Sequence, residues 1–96
     1  MTAGRRSGIE IIAEILEEAR QGITKTRLVY RTNLNFFVVR KHLDFLIDKG
    51  LLDVVREPIQ LFVTTPKGLQ FLEEFRKMKE ILGSSEIEQH QIYSCM

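Results

Sequence analysis

Ninety-six residues, 44% hydrophobic and 28% charged, make one ordinary globular domain with a single core. The formal net charge of +1 divides unevenly: residues 1–50 hold nine Lys/Arg against six Asp/Glu and residues 51–96 hold five against seven, so the halves carry +3 and −2. The single cysteine, Cys95, excludes an internal disulfide, no apolar run approaches the roughly 20 residues of a membrane span, and residues 1–6 lack the apolar core of a secretion signal, so the expectation is a cytoplasmic protein without a membrane partner.

Residues 1–6 read as a loose basic arm. Ser7 and Glu10 have the spacing of a capping box, which starts a first helix at Gly8. Within it Ile9, Ile12, Ala13, Leu16 and Ala19 recur at helical spacing and are expected to face a core, with Glu14, Glu17 and Glu18 towards water and Gly22 as terminator.

Residues 21–41 carry Lys25, Arg27, Arg31, Arg40 and Lys41 and contain no Asp or Glu, although acid-rich segments flank them on both sides. A second helix is predicted from Thr24 as N-cap to about Thr32, burying Leu28 and either Val29 or Tyr30, with Asn33-Leu34 as the turn. Its first turn is electrically backward: Lys25 and Arg27 sit at the positive end of the helix dipole, each costing a few tenths of a kcal/mol, and phosphate is the ligand that relieves this. Asn35 then caps a third helix with Phe36, Val39, Leu43, Leu46 and Ile47 as core stripe and Gly50 as its end. The opposite face presents Phe37, Val38, Lys41, Asp44, Phe45 and Asp48, with Arg40 at the edge. Two short helices, a tight turn and concentrated positive charge point to a helix-turn-helix that binds nucleic acid. Its first two turns offer groups for base edges, thymine methyls and phosphates, whereas Asp44 and Asp48 would repel a phosphate backbone, so only the N-terminal half can insert. His42 has no companion ligands for a metal site.

From Leu51 the pattern changes to two short runs rich in β-branched residues, 51–56 and 59–64, which flank Glu57-Pro58 and read as a β-hairpin with proline at the tip. Arg56 is the one cation there, beside Glu57. Thr65-Pro66 starts a fourth helix running to about Leu82. On it Phe71, Phe75, Met78 and Leu82 are spaced 4, 3 and 4, a heptad-like seam suited to a second subunit, while Leu69 and Leu72 are expected to turn to the domain's own core. Gly83-Ser84-Ser85 breaks the helix, and Ser85 with Glu88 again has capping-box spacing in the remaining tail. The expected organisation is a basic arm over 1–7, a helix-turn-helix and hairpin over 8–65, a dimerisation helix over 66–82 and a tail over 83–96. No Gly-rich phosphate loop, Cys/His cluster or nucleophile elbow occurs, so neither enzyme activity, a cofactor nor a small-molecule substrate is expected.

The order of elements, with the words Lys25-Thr26-Arg27, Asn33-Leu34-Asn35, Lys49-Gly50-Leu51-Leu52 and Thr65-Pro66-Lys67-Gly68, resembles a family of small archaeal winged helix-turn-helix DNA-binding proteins over roughly residues 8–80. The resemblance implies a mainly helical α+β fold of three helices, a hairpin wing and a long last helix. It implies a homodimer that binds duplex DNA as a transcriptional regulator or chromatin-associated protein. Carried over by position, Lys25, Thr26 and Arg27 would contact the backbone, and Asn35 to Lys41, with Phe37, Val38 and Arg40 among them, would enter the groove. Arg31 and Arg56 complete the expected DNA surface. The bulky Phe37 and Val38 stand where that family has smaller or more polar residues, which keeps open a winged helix used for protein interaction.

Overall fold

Each helix starts on a side chain that closes its first turn. Ser7 Oγ accepts from the Glu10 amide at 3.2 Å while Glu10 Oε1 accepts from the Ser7 amide at 2.9 Å, a complete capping box at the head of α1 (Gly8–Glu18). Thr24 Oγ1 accepts from the Arg27 amide at 3.2 Å at the head of α2 (Lys25–Thr32), and Asn35 Oδ1 from the Val38 amide at 2.8 Å at the head of α3 (Phe36–Asp48). An antiparallel hairpin of β1 (Leu52–Val55) and β2 (Leu61–Thr64) follows, with Leu52 opposite Thr64 and Val55 opposite Leu61. Thr65 Oγ1 then accepts from the Gly68 amide at 3.0 Å to start α4 (Pro66–Leu82), with Pro66 at its first position. The computed structural model describes residues 6–83. Residues 1–5 of the expected arm and the tail beyond Gly83, including the Ser85/Glu88 spacing, lie outside the described residues.

This is the winged helix-turn-helix architecture, mainly helical, with the hairpin as wing. Ile15, Leu16 and Ala19, Leu28, Val39, Leu43 and Leu46, and Leu52 and Phe62 of the wing form one buried cluster. Two threonines tie it together. Thr64 Oγ1 donates to the Leu16 carbonyl at 2.6 Å and the Thr64 amide to the Ala19 carbonyl at 3.0 Å, fixing the wing to the end of α1. Buried Thr32 closes α2 on itself by donating to the Leu28 carbonyl at 2.8 Å.

The junction of α3 and α4 is a backbone clamp. Lys67 Nζ donates to the Lys49 carbonyl at 2.9 Å, Thr65 Oγ1 to the Gly50 carbonyl at 2.7 Å, and the Thr65 amide to the Leu51 carbonyl at 3.0 Å. Gly50 holds φ +79, a conformation glycine adopts at little cost. Thus two of the four family-like words meet in space and hold the α3–α4 junction together.

The structure corrects several sequence expectations. Ile9 is exposed and Ile15 fully buried, because α1 meets α2, the wing and α4 and so needs apolar groups over a broad arc. Ile23 exchanges hydrogen bonds with Phe62 at 3.1 and 2.8 Å, adding a one-residue rung beside β2 where a turn alone was expected. Phe36 is 52% exposed and stands outside the core stripe, with the Lys25 ammonium over its ring. Leu69 is exposed, whereas Leu72 and Phe71 pack against the core. Gly68 explains this. It is the buried contact point of α4, so the positions three, four, seven and eleven residues on, Phe71, Leu72, Phe75 and Lys79, are the part-buried ones and Leu69 turns outward. Arg6, expected in a loose arm, pairs with Glu14 and donates to the Thr32 carbonyl at 3.0 Å.

Candidate nucleic-acid interface

The turn between α2 and α3 brings the two helix starts side by side. Asn33 takes the left-handed conformation with φ 60, which asparagine tolerates better than most residues, and its amide donates to the Val29 carbonyl at 2.9 Å, ending α2. As a result the Lys25 ammonium lies 5.1 Å from the centre of the Phe36 ring, joining the first residue of α2 to the first residue of α3. At the next residue of α3, Phe37, Lys41 Nζ from one turn further on lies 5.7 Å over the ring, and Phe37 is 67% exposed.

Around these pairs the remaining expected residues fall as follows. Thr26, Arg27, Arg40 and Asn35 are exposed. Asn35 uses one lone pair of Oδ1 to cap α3, which leaves its amide NH2 and the second lone pair for an outside partner. Val38 is part-buried and its carbonyl accepts from His42 Nδ1 at 2.9 Å, a bond within α3. Arg31, in the last turn of α2, is turned towards α1, where its Nε donates to Glu18 Oε1 at 3.2 Å. Arg56 is exposed at the end of β1, next to Glu57 and the hairpin tip. The structure thus pairs Lys25 with Phe36, a residue expected in the core stripe, and Lys41 with Phe37, while Thr26 and Arg27 of α2, Asn35 at the head of α3 and Arg40 of α3 are exposed.

Electrostatics favour an anion here. The acid-free residues 21–41 include both helix starts, while exposed Asp44 and Asp48 lie in the second half of α3. Capping satisfies the Arg27 amide, so the Lys25 and Thr26 amides are left, as first-turn amides are, for an outside acceptor. Farther along α3, Phe45 is exposed beneath Lys49 Nζ at 5.6 Å, outside this cluster.

The expected dimer seam divides. Phe71 packs on the domain's own core and stacks on part-buried Phe75 with ring centres 6.3 Å apart, whereas Met78 and Leu82 are exposed with Ile81, a residue the heptad spacing did not mark and which is 82% exposed. Lys79 Nζ lies 5.5 Å over the Phe75 ring. Among the described residues no helix is long and apolar enough to cross a membrane and no group of three or more His, Cys, Asp and Glu could hold a metal ion.

A family model for the winged helix-turn-helix matches residues 5–83. The chain is similar to an uncharacterized protein of Methanocaldococcus jannaschii, 33% identical over 81 residues that cover 83% of this chain and 80% of the relative. Among solved structures it is similar to Sso10a-2, a DNA-binding protein from Sulfolobus solfataricus, with a TM-score of 0.69, 29% identity and coverage of 92% of this chain and 97% of that one. It is also similar to Lactococcus lactis ZitR solved in complex with DNA, with a TM-score of 0.62, 20% identity and coverage of 95% and 64%, a likeness of fold alone.

Proposed function

The chain belongs to the winged helix-turn-helix family, and on that premise we propose that it binds duplex DNA as a homodimer, serving as a cytoplasmic transcriptional regulator or chromatin-associated protein. The observation that carries this is the joining of Lys25 to Phe36 across the helix-turn-helix, which merges two helix starts into one basic, acid-free surface. In this reading Lys25, Thr26 and Arg27 sit on the phosphate backbone and the first two turns of α3 enter the major groove. Arg56 adds one weak contact from the wing. Two solved structures of this fold, one a DNA-binding protein and one in complex with DNA, support the partner class. For the dimer, exposed Met78, Ile81 and Leu82 with the outer edge of Phe75 supply the seam, and Phe71 supports Phe75 from the core side.

The test is charge reversal. Lys25→Glu/Arg27→Glu changes surface side chains and leaves the Thr24 cap in place, so the protein should fold and lose duplex binding at physiological salt. Unchanged binding would reject this face. A winged helix used for protein interaction is the second reading, favoured by exposed Phe37 and Phe45; wild type that binds no duplex at low salt would support it.

A further inference from the structure

The first two turns of α3 present an unusual set of groups for a helix that enters a DNA groove. Asn35 Oδ1 already accepts from the Val38 amide at 2.8 Å as the N-cap of α3, so a bidentate contact to adenine would have to share that oxygen. Val38 is part-buried, and its carbonyl is engaged by His42. What projects are two phenylalanines, Phe36 at 52% and Phe37 at 67% exposure, each with a lysine ammonium over its ring. Each lysine places positive charge beside its ring. A plain partner protein of hydrophobic character would have to desolvate both ammonium groups, whereas DNA supplies phosphates for them. The base-edge feature that an exposed phenyl ring can recognise in the major groove is the C5-methyl group of thymine.

We propose that Phe36 and Phe37 read thymine methyl groups in the major groove, giving the protein a preference for A·T-rich duplexes that resides in the methyls themselves. This rests on the duplex-DNA reading and deepens it. Arg40 and Lys41 follow on the same helix, exposed, and reach phosphate or guanine at the flank.

The experiment compares a short alternating A·T duplex with the same duplex in which every thymine is replaced by uracil, at one salt concentration, by fluorescence anisotropy. Uracil keeps every hydrogen bond and lacks only the methyl. Wild type should bind the thymine duplex more tightly by about fourfold for each methyl contacted, the value of one buried methylene-sized group. Phe36→Ala/Phe37→Ala should bind both duplexes alike, still through phosphates, with its fold checked by circular dichroism. The single variant Phe37→Ala, at the more exposed position, should lose part of the discrimination. Equal wild-type affinity for the two duplexes would overturn the inference while leaving DNA binding intact. Retention of the full thymine preference by the double variant would also overturn it, by assigning the methyl contacts elsewhere. Failure of wild type to bind either duplex would remove the duplex-DNA reading and this inference together.

Discussion

Arg31 Nε donates to Glu18 Oε1 at 3.2 Å, so one of the five cations in the acid-free stretch is held against a carboxylate of α1. Arg27 has no such partner among the ion pairs of the described residues. We therefore predict unequal effects: Arg27→Ala weakens binding to all duplex sequences by similar factors and lowers the salt slope by about one per copy, while Arg31→Ala costs less. Glu18→Gln, which frees Arg31, should strengthen binding. Affinities on two unrelated duplexes check all three variants, and sequence-selective loss at Arg27 would reassign it to base reading.

Gly68 is predicted to resist substitution. A Cβ there would lie 2.4 Å from the Leu51 carbonyl oxygen and 2.6 Å from Thr64 Cγ2, and the Leu51 carbonyl is held in place by the Thr65 amide at 3.0 Å. Alanine would gain about 1 kcal/mol in helix propensity, but forcing backbone apart in a packed core costs about 1–3 kcal/mol or more. Gly68→Ala should lower the melting temperature; a rise would show that α4 does not approach the α3–β1 connection this closely.

Thr64→Val should destabilise the protein although shape is nearly kept. The substitution removes the donor to the buried Leu16 carbonyl at 2.6 Å, and an unsatisfied buried acceptor costs about 1–3 kcal/mol. Denaturant unfolding would show the midpoint falling with an unchanged slope.

For the dimer, Phe75→Asp should give a monomer at micromolar concentration, and duplex affinity should fall with it because the two basic surfaces no longer act as one unit. Since Phe75 also stacks on Phe71 at 6.3 Å, Met78→Asp, at an exposed position, separates loss of the dimer from loss of the fold. Sedimentation equilibrium decides; a wild-type monomer would remove the seam.

Acid affects one surface pair in a defined direction. The hydrogen bond from Arg76 and its charge hold the Glu73 carboxyl below the usual carboxylate range. A carboxyl lowered in the folded state contributes its stabilisation fully above the unfolded value, and loses it as pH falls through the folded value. Arg76→Ala should move the Glu73 titration upward, readable by carbon NMR of its side-chain carboxyl.

Much of this was legible in the sequence because it was local. Ser7, Thr24, Asn35 and Thr65 each cap the helix their spacing marks, and Pro58 stands at the wing tip because two β-branched runs flank it. What was not legible depended on three-dimensional context. Periodicity could not choose between Ile9 and Ile15 on a helix apolar over much of its circumference. Ile23 pairs with Phe62 as a single residue, too short for any alternation. Phe36 is as hydrophobic as a core residue and falls on the core stripe by spacing, and its exposure beside Lys25 of another helix is a tertiary fact that periodicity does not carry. The rotation of α4 is set by the closeness of Gly68 to the Leu51 backbone, a long-range contact that sent Phe71 inward and Leu69 outward.

The most direct measurement is a salt titration of wild-type affinity for a labelled duplex. With about six to ten phosphates neutralised by a dimer, the logarithm of affinity should fall linearly with the logarithm of salt, and binding should weaken by about 10³–10⁵ between 50 and 200 mM. Weak binding that stays flat across that range would contradict a DNA-binding role for the Lys25–Lys41 surface.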